Sequence, residues 1–191
     1  MIINLRGTSG SGKSTLVRWI MLCYESRLPV RQQINGKDRK QPVGYLCHLE
    51  GGRSLYVLGH YESPCGGCDT LPTMDYVYDA VRKAAAEGFD VIYEGVIVTS
   101  DVRRCIQLHT DGLPLLVVGL DVPIEECVAG INNRRAARGD ERPLDPTNTI
   151  AKLKTNQGGM RKLQAAGVDA RWLGRDEALT AVQEALELQG R

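Results

Sequence analysis

The run Gly7-Thr8-Ser9-Gly10-Ser11-Gly12-Lys13-Ser14 constrains this chain more than any other stretch. Its spacing, G-x-x-x-x-G-K-[ST], is that of the Walker A phosphate-binding loop. Ile2-Ile3-Asn4-Leu5 before it reads as a strand. Thr15 to Leu22 after it repeats apolar residues at helical spacing. The glycines let successive backbone N–H groups turn inward onto phosphate oxygens, where side chains would obstruct them. Lys13 is expected to reach the β- and γ-phosphates, and the Ser14 hydroxyl to sit on Mg²⁺. The helix that starts near Lys13 adds its positive N-terminal dipole. Gly7, Thr8, Ser9, Gly10, Ser11, Gly12, Lys13, Ser14 and Thr15 are therefore the expected contacts to a nucleoside triphosphate, with ATP and Mg²⁺ as cofactors.

At 191 residues the chain suits one α/β domain with a real core. With 24 Lys+Arg against 23 Asp+Glu, no global basic field advertises nucleic-acid binding, although local patches can. No apolar run approaches a membrane span, and the N-terminus reads as a strand rather than a signal peptide. A soluble, cytoplasmic protein is expected. The six cysteines suit buried small hydrophobes of a reducing compartment better than disulfides.

Along the chain, a first helix is expected over 13–26 and a polar, proline-bracketed loop over 27–42. Val43–Glu50 and Ser54–Leu58, joined by Gly51-Gly52-Arg53, read as a β-hairpin. Thr73 reads as the N-cap of a helix stopped by Gly88, and Ser100 as the cap of another ending near Gly112. Asp90–Glu94 and Leu115–Leu120 are buried-type strands. Pro123 opens a helix that runs into an arginine-rich segment. A long helix capped by Thr147 or Asn148 follows, with Gly158-Gly159 as an awkward break. A short strand at 170–173 and a helix over 176–188 close the pattern. Strands alternating with helices imply parallel units with right-handed crossovers. The expected fold is a three-layer α/β/α phosphate-loop NTPase of kinase type. Residues 1–191 form a single domain, with 27–72 as an acceptor-side insertion and 132–146 as a lid.

Three features narrow the chemistry. Glu94 ends a strand and precedes Gly95, the place where phosphate-loop proteins carry an acid that reaches the metal shell or a reacting hydroxyl. Arg134 and Arg138, four apart, share a helix face within the set Arg134, Arg135, Arg138 and Arg142. Folded over a triphosphate, such arginines neutralise charge that grows in the transition state, while Asp140 and Glu141 draw some of them into surface pairs. The segment from Gly59 to Thr70 concentrates glycines with His60, Tyr61, Gly67, Asp69 and Thr70, and reads as the acceptor side. Asp69 is a candidate to accept a hydroxyl proton or to bind an acceptor base, and Tyr61 a candidate to stack on one. Cys65-x-x-Cys68 lacks the second pair of a standard zinc site.

With these residues in place, the chain resembles phosphate-loop kinases of the nucleoside-monophosphate and deoxynucleoside kinase superfamily. The resemblance rests on Gly7–Ser14, Glu94-Gly95, Leu120-Asp121-Val122-Pro123 and the arginine-rich helix. Two departures count against an ordinary monophosphate kinase. Glu94-Gly95-Val96-Ile97-Val98 stands where D-G-[FY]-P-R is usual, and the D-R-Y/H motif of thymidylate kinases is missing. The Gly59-His60-Tyr61…Cys65-Gly66-Gly67-Cys68-Asp69-Thr70 block is similar to that of the bacteriophage 5-hydroxymethyluracil DNA kinases. That resemblance implies ATP-dependent phosphorylation of the 5-hydroxymethyl group of a base already within DNA. Lys13, Glu94, Asp69, Arg134 and Arg138 would then be catalytic, and His60, Tyr61, Gly67, Asp69 and Thr70 would bind the acceptor. The basic stretch with Arg27, Arg31, Lys37, Arg39 and Lys40 could grip a polymeric acceptor by its phosphates. Two rivals stay open: a kinase of a free nucleoside, nucleotide or metabolite, and a nucleotide-dependent switch or ATPase module.

Overall fold

The computed structural model describes residues 1–34 and 36–188. Strand β1 (Ile2–Arg6) leads through the glycine-rich loop into α1 (Lys13–Leu22). β2 (Ser26–Val30), a small hairpin of β3 (Gln33–Ile34) and β4 (Lys37–Asp38), then β5 (Gly44–His48) and β6 (Leu55–Leu58) follow. A 3₁₀ turn at Cys68–Thr70 precedes α2 (Met74–Ala86), β7 (Asp90–Glu94), α3 (Val96–Ser100) and α4 (Arg103–Thr110). The chain then forms β8 (Leu115–Leu120), α5 (Ile124–Ala136), α6 (Thr147–Ala165), β9 (Asp169–Leu173) and α7 (Arg175–Ala185).

The main sheet runs β2-β5-β6-β7-β1-β8-β9, parallel from β6 to β9, with β5 antiparallel to both of its neighbours. Every residue of β1, β7 and β8 is buried. That burial explains their continuous apolar runs, because helices cover both faces of a parallel sheet. On one face α1 contributes Leu16, Val17 and Ile20, and α7 contributes Ala178 and Val182. On the other, α2 contributes Val77, Tyr78 and Val81, α4 Cys105 and Leu108, and α6 Met160 and Leu163. The three-layer α/β/α expectation therefore holds. β1 lies between β7 and β8, so the loops at their carboxyl ends diverge and open a crevice, the usual ligand position in such sheets. Leu5 pairs with Glu94 across β1 and β7, which sets Glu94 beside the first turn of the loop.

Several boundaries differ from expectation. α1 stops at Leu22, and the stretch expected to be a loop contains β2 and the β3–β4 hairpin. β2 is an edge strand with Pro29 inside it, a position proline tolerates because an edge N–H needs no partner. Its exposed Arg27 and Leu28 give no burial pattern to read. Asn35, inside that expected loop, and residues 189–191 of the expected single domain lie outside the described residues. The hairpin at 43–58 forms, and its second strand is an inner strand of the sheet. Ser100 caps no helix; it ends α3, and Asp101 accepts from the Arg104 N–H at 3.0 Å at the start of α4. α6 begins at Thr147, whose N–H donates to Asp145 at 2.9 Å. It passes unbroken through Gly158-Gly159, and Gly159 is buried where the helix meets Val102 and Arg6. A β-carbon there would sit in ordinary contact, 3.4 Å from Val102 and 3.8 Å from Arg6, so packing alone does not require the glycine.

Thr73 caps α2 as its position suggested, its hydroxyl accepting from the Tyr76 N–H at 3.1 Å. Thr73→Ala leaves that N–H without a partner and should lower stability by about 1 kcal/mol in urea unfolding while leaving catalysis intact. An unchanged unfolding midpoint would contradict the cap.

Candidate active site

The loop is shaped by close contacts that only glycine permits. Gly10 has φ +84°, and a β-carbon there would overlap the Cys127 carbonyl on α5. Gly130, on the next turn of α5, faces Gly10 in turn, a β-carbon there lying 3.0 Å from the Gly10 carbonyl. With α5 seated this closely, Arg134 at its far end reaches the loop's cavity.

Lys13 is buried and donates to the carbonyls of Gly7 at 2.9 Å and Thr8 at 3.0 Å. Burial pushes its pKa down, opposed chiefly by the negative charges of Glu94 and Asp69. Ser14 donates from its hydroxyl to Glu94 Oε1 at 2.6 Å. Glu94 is itself buried, which raises its pKa against the lowering influence of Lys13 and Ser14. No acid stands in the first turn of α1, so the positive end of that helix is left for an anion.

One cavity of ≈ 380 Å³ joins the loop to Lys13, Ser14, Asp69, Glu94, Val96 and Arg134. Of the residues expected on the acceptor side, only Asp69 lines it. Both Asp69 oxygens accept backbone N–H groups, from Val96 and Ile97 at 3.1 Å each, so Asp69 fixes the start of α3. Gly67, with φ +93°, lies against Glu94: a β-carbon would come 2.6 Å from its carbonyl and 2.8 Å from its carboxylate. His60 and Gly67 close a turn by exchanging backbone hydrogen bonds. Burial lowers the pKa of the His60 ring. The Tyr61 ring is buried against Tyr45 and lies outside the cavity lining, and the Tyr61 backbone N–H donates to the Tyr45 hydroxyl at 3.2 Å. A flat aromatic side chain in a loop reads as a stacking surface, but here the core absorbs it. Thr70 is exposed and accepts from Arg39 at 2.9 Å through its carbonyl.

The arginine set divides. Asp140 takes Arg135 at 2.8 Å and Arg142 at 2.9 Å. Arg134 has no carboxylate partner among the described residues, and Arg138 lies 3.7 Å from the thiol of Cys65 on the cavity rim. Cys68 is buried and Cys65 exposed, and the described residues hold no cluster of three or more metal-ligating side chains.

Two anchoring residues escaped the sequence reading. Arg18 donates to the carbonyls of Tyr61 and Ser63, tying the 59–70 block to α1. Buried Arg6 donates to the carbonyls of Thr99 at 2.9 Å and Asp101 at 2.6 Å, holding the far end of α3. Arg18 sits one turn beyond Ser14 on the same helix face, but the sequence offers no sign of its partners. A second cavity of ≈ 330 Å³ adjoins the first through Gly10, Gly12 and Thr15, and is walled by Trp19 and Arg175. Arg175 is held by Ser11 and Glu126.

Fold, loop and strand-end acid together define a phosphate-loop NTPase of kinase type. No family model matches the chain. The chain is 46% identical over 187 residues to the 5-hmdU DNA kinase of Pseudomonas phage PaMx11, covering 97% of each. It is 28% identical to that of Pseudomonas phage M6, covering 98% of each. It is 25% identical to that of Delftia phage PhiW-14, covering 87% of this chain and 65% of that one. The chain belongs to the family of 5-hmdU DNA kinases, and it is an ATP-dependent phosphotransferase.

A β-carbon at Gly67 has nowhere to go but into Glu94. Gly67→Ala should lower kcat on the order of 10²-fold, with ATP affinity retained, because a displacement near 1 Å is enough for such a loss. Undiminished kcat would show that the carboxylate's position is immaterial.

Proposed function

We propose that this protein transfers the γ-phosphoryl group of ATP to the 5-hydroxymethyl oxygen of 5-hydroxymethyluracil within DNA. The observation that carries the proposal is the single cavity in which the phosphate loop, Lys13 and Glu94 meet. The kinship with the phage enzymes supplies the acceptor.

The purine end of ATP fits the cavity walled by Trp19 and Arg175, with the phosphates running along the loop. Lys13 exchanges the carbonyls of Gly7 and Thr8 for β- and γ-phosphate oxygens, which removes little hydrogen bonding and satisfies its charge. Glu94 takes the proton of the hydroxymethyl group as its oxygen attacks the γ-phosphorus. The bond from that phosphorus to the β–γ bridging oxygen breaks, ADP leaves, and the proton passes from Glu94 to solvent. Asp69, with both oxygens occupied by α3, acts by positioning. Arg134, free of carboxylates among the described residues, neutralises charge on the transferring group.

The Ser14 hydroxyl offers a hard oxygen donor, and among the described residues no cluster of metal-ligating side chains forms a cage, a setting that suits Mg²⁺ shared with phosphates and water. When bound, the ion would offset the negative charge of the β- and γ-phosphates.

Exposed Arg27, Arg31, Lys37 and Lys40 on the β2–β4 side, with Arg39 fastened to Thr70, favour a polymeric acceptor gripped by its phosphates. Among the described residues no helix is long and apolar enough to cross a membrane.

With γ-labelled ATP, label should appear on DNA containing 5-hydroxymethyluracil and not on ordinary DNA, and turnover should fall steeply with added salt. Lys13→Ala should abolish transfer. Label confined to free nucleosides or nucleotides, or hydrolysis with no phosphorylated acceptor, would overturn the proposal.

A further inference from the structure

A third cavity, of ≈ 320 Å³, lies between the start of the loop, α3 and α6. The three cavities follow one another along the loop. The first and second share Gly10, Gly12 and Thr15, whereas the first and third share Ser9 and Val96. A triphosphate with its purine in the second cavity and its phosphates over Lys13 and Ser14 therefore points its γ end toward the third. From this order we infer that the third cavity receives the acceptor base, a pyrimidine swung out of the DNA stack. The inference rests on the kinase reading above and adds the place where the base sits.

The walls suit such a ligand. Val96 and Ile97, at the start of α3, leave 38% and 51% of their surface exposed, an apolar face with no packing reason to be uncovered. A flipped base needs an apolar flank of this kind, with hydrogen bonds at its edge. α3 is only five residues long, yet it is held at both ends, by Asp69 at its first N–H groups and by Arg6 at its last carbonyls. It forms a fixed wall rather than a mobile one.

The polar groups converge as well. Thr8 carries a buried hydroxyl with no partner among the described residues, the kind of orphan that a ligand satisfies. The Asn156 side chain is buried on the facing helix. In the orientation that satisfies both ends of its amide, Oδ1 accepts from the Thr8 N–H and Nδ2 donates to the Lys152 carbonyl, each at 3.2 Å. One Asn156 N–H donor remains. Uracil presents two carbonyl acceptors and one N–H donor along its edge, a set that Thr8 and Asn156 can answer. Exposed Lys152 at the rim, with no carboxylate partner among the described residues, is placed for a flanking phosphate. A base seated here directs its 5-substituent past Ser9 and Val96 toward Lys13 and Glu94.

Ile97→Trp and Thr155→Trp fill the cavity from opposite walls, and both residues are exposed, so the fold should tolerate them. On DNA containing 5-hydroxymethyluracil, each should raise KM for the DNA about tenfold or more while ATP affinity and DNA-independent ATP hydrolysis stay at wild-type levels. Asn156→Asp replaces the edge donor by an acceptor. It should raise the rate on 5-hydroxymethylcytosine DNA relative to 5-hydroxymethyluracil DNA by about tenfold or more. Unchanged KM in both tryptophan variants, weakened ATP binding in step with KM, or an unmoved base preference in Asn156→Asp would each overturn the assignment. If the wild-type enzyme labels no 5-hydroxymethyluracil DNA, the kinase reading itself fails, a result distinct from all of these.

Discussion

Two opposite charges buried in the lining of one cavity govern this molecule. Lys13 at the head of α1 and Glu94 at the end of β7 are both withdrawn from water, and each offsets the burial of the other. A charge left alone in such a place would neutralise itself or destabilise the fold by several kcal/mol. The surroundings are arranged to prevent that: loop carbonyls hold the ammonium, and the Ser14 hydroxyl holds the carboxylate. The β1–β7 register brings the two strand ends level, and Gly67 leaves room for the carboxylate. The close seating of α5 on Gly10 then carries Arg134 to the same place.

The family kinship and this arrangement account for different halves of the reaction. In the proposed reaction, the loop with Lys13 holds the triphosphate and Glu94 takes the hydroxyl proton. The acceptor half, as inferred above, falls to α3, a short helix pinned by Asp69 and Arg6, and to the α6 face that opposes it. Asp140 selects among the arginines by occupying Arg135 and Arg142, which leaves Arg134 for the cavity and Arg138 for its rim.

Much of this was legible in the chain because the signals are local. The loop, the strand-end acid and the helix arginines announce themselves through spacing of a few residues, and the alternating strands and helices give the layers. The 59–70 block carried the resemblance to the phage kinases, which the relatives bear out, but the places of its individual side chains could be read only from residue type. Asp69 reaches the cavity, but as the cap of α3, whereas Tyr61 turns into the core beside Tyr45. Those outcomes depend on partners 27 and 16 residues away, which no local pattern encodes. Arg6, Arg18 and Asn156 were invisible for the same reason: an arginine that binds backbone carbonyls leaves no matching acid in the sequence. The β2 strand was hidden by its edge position, which relieves it of any apolar alternation.

The pH dependence of kcat/KM in wild-type and Glu94→Gln enzyme tests the central claim most directly. A base must be ionised to act. Burial raises the Glu94 pKa above the ordinary glutamate value of 4.5, so kcat/KM should fall, as pH is lowered, about a midpoint above that value. In Glu94→Gln that acid limb should vanish, and the residual rate should be lower on the order of 10² to 10⁴-fold. A variant that keeps both the rate and the limb would show that another group takes the proton and would contradict the account.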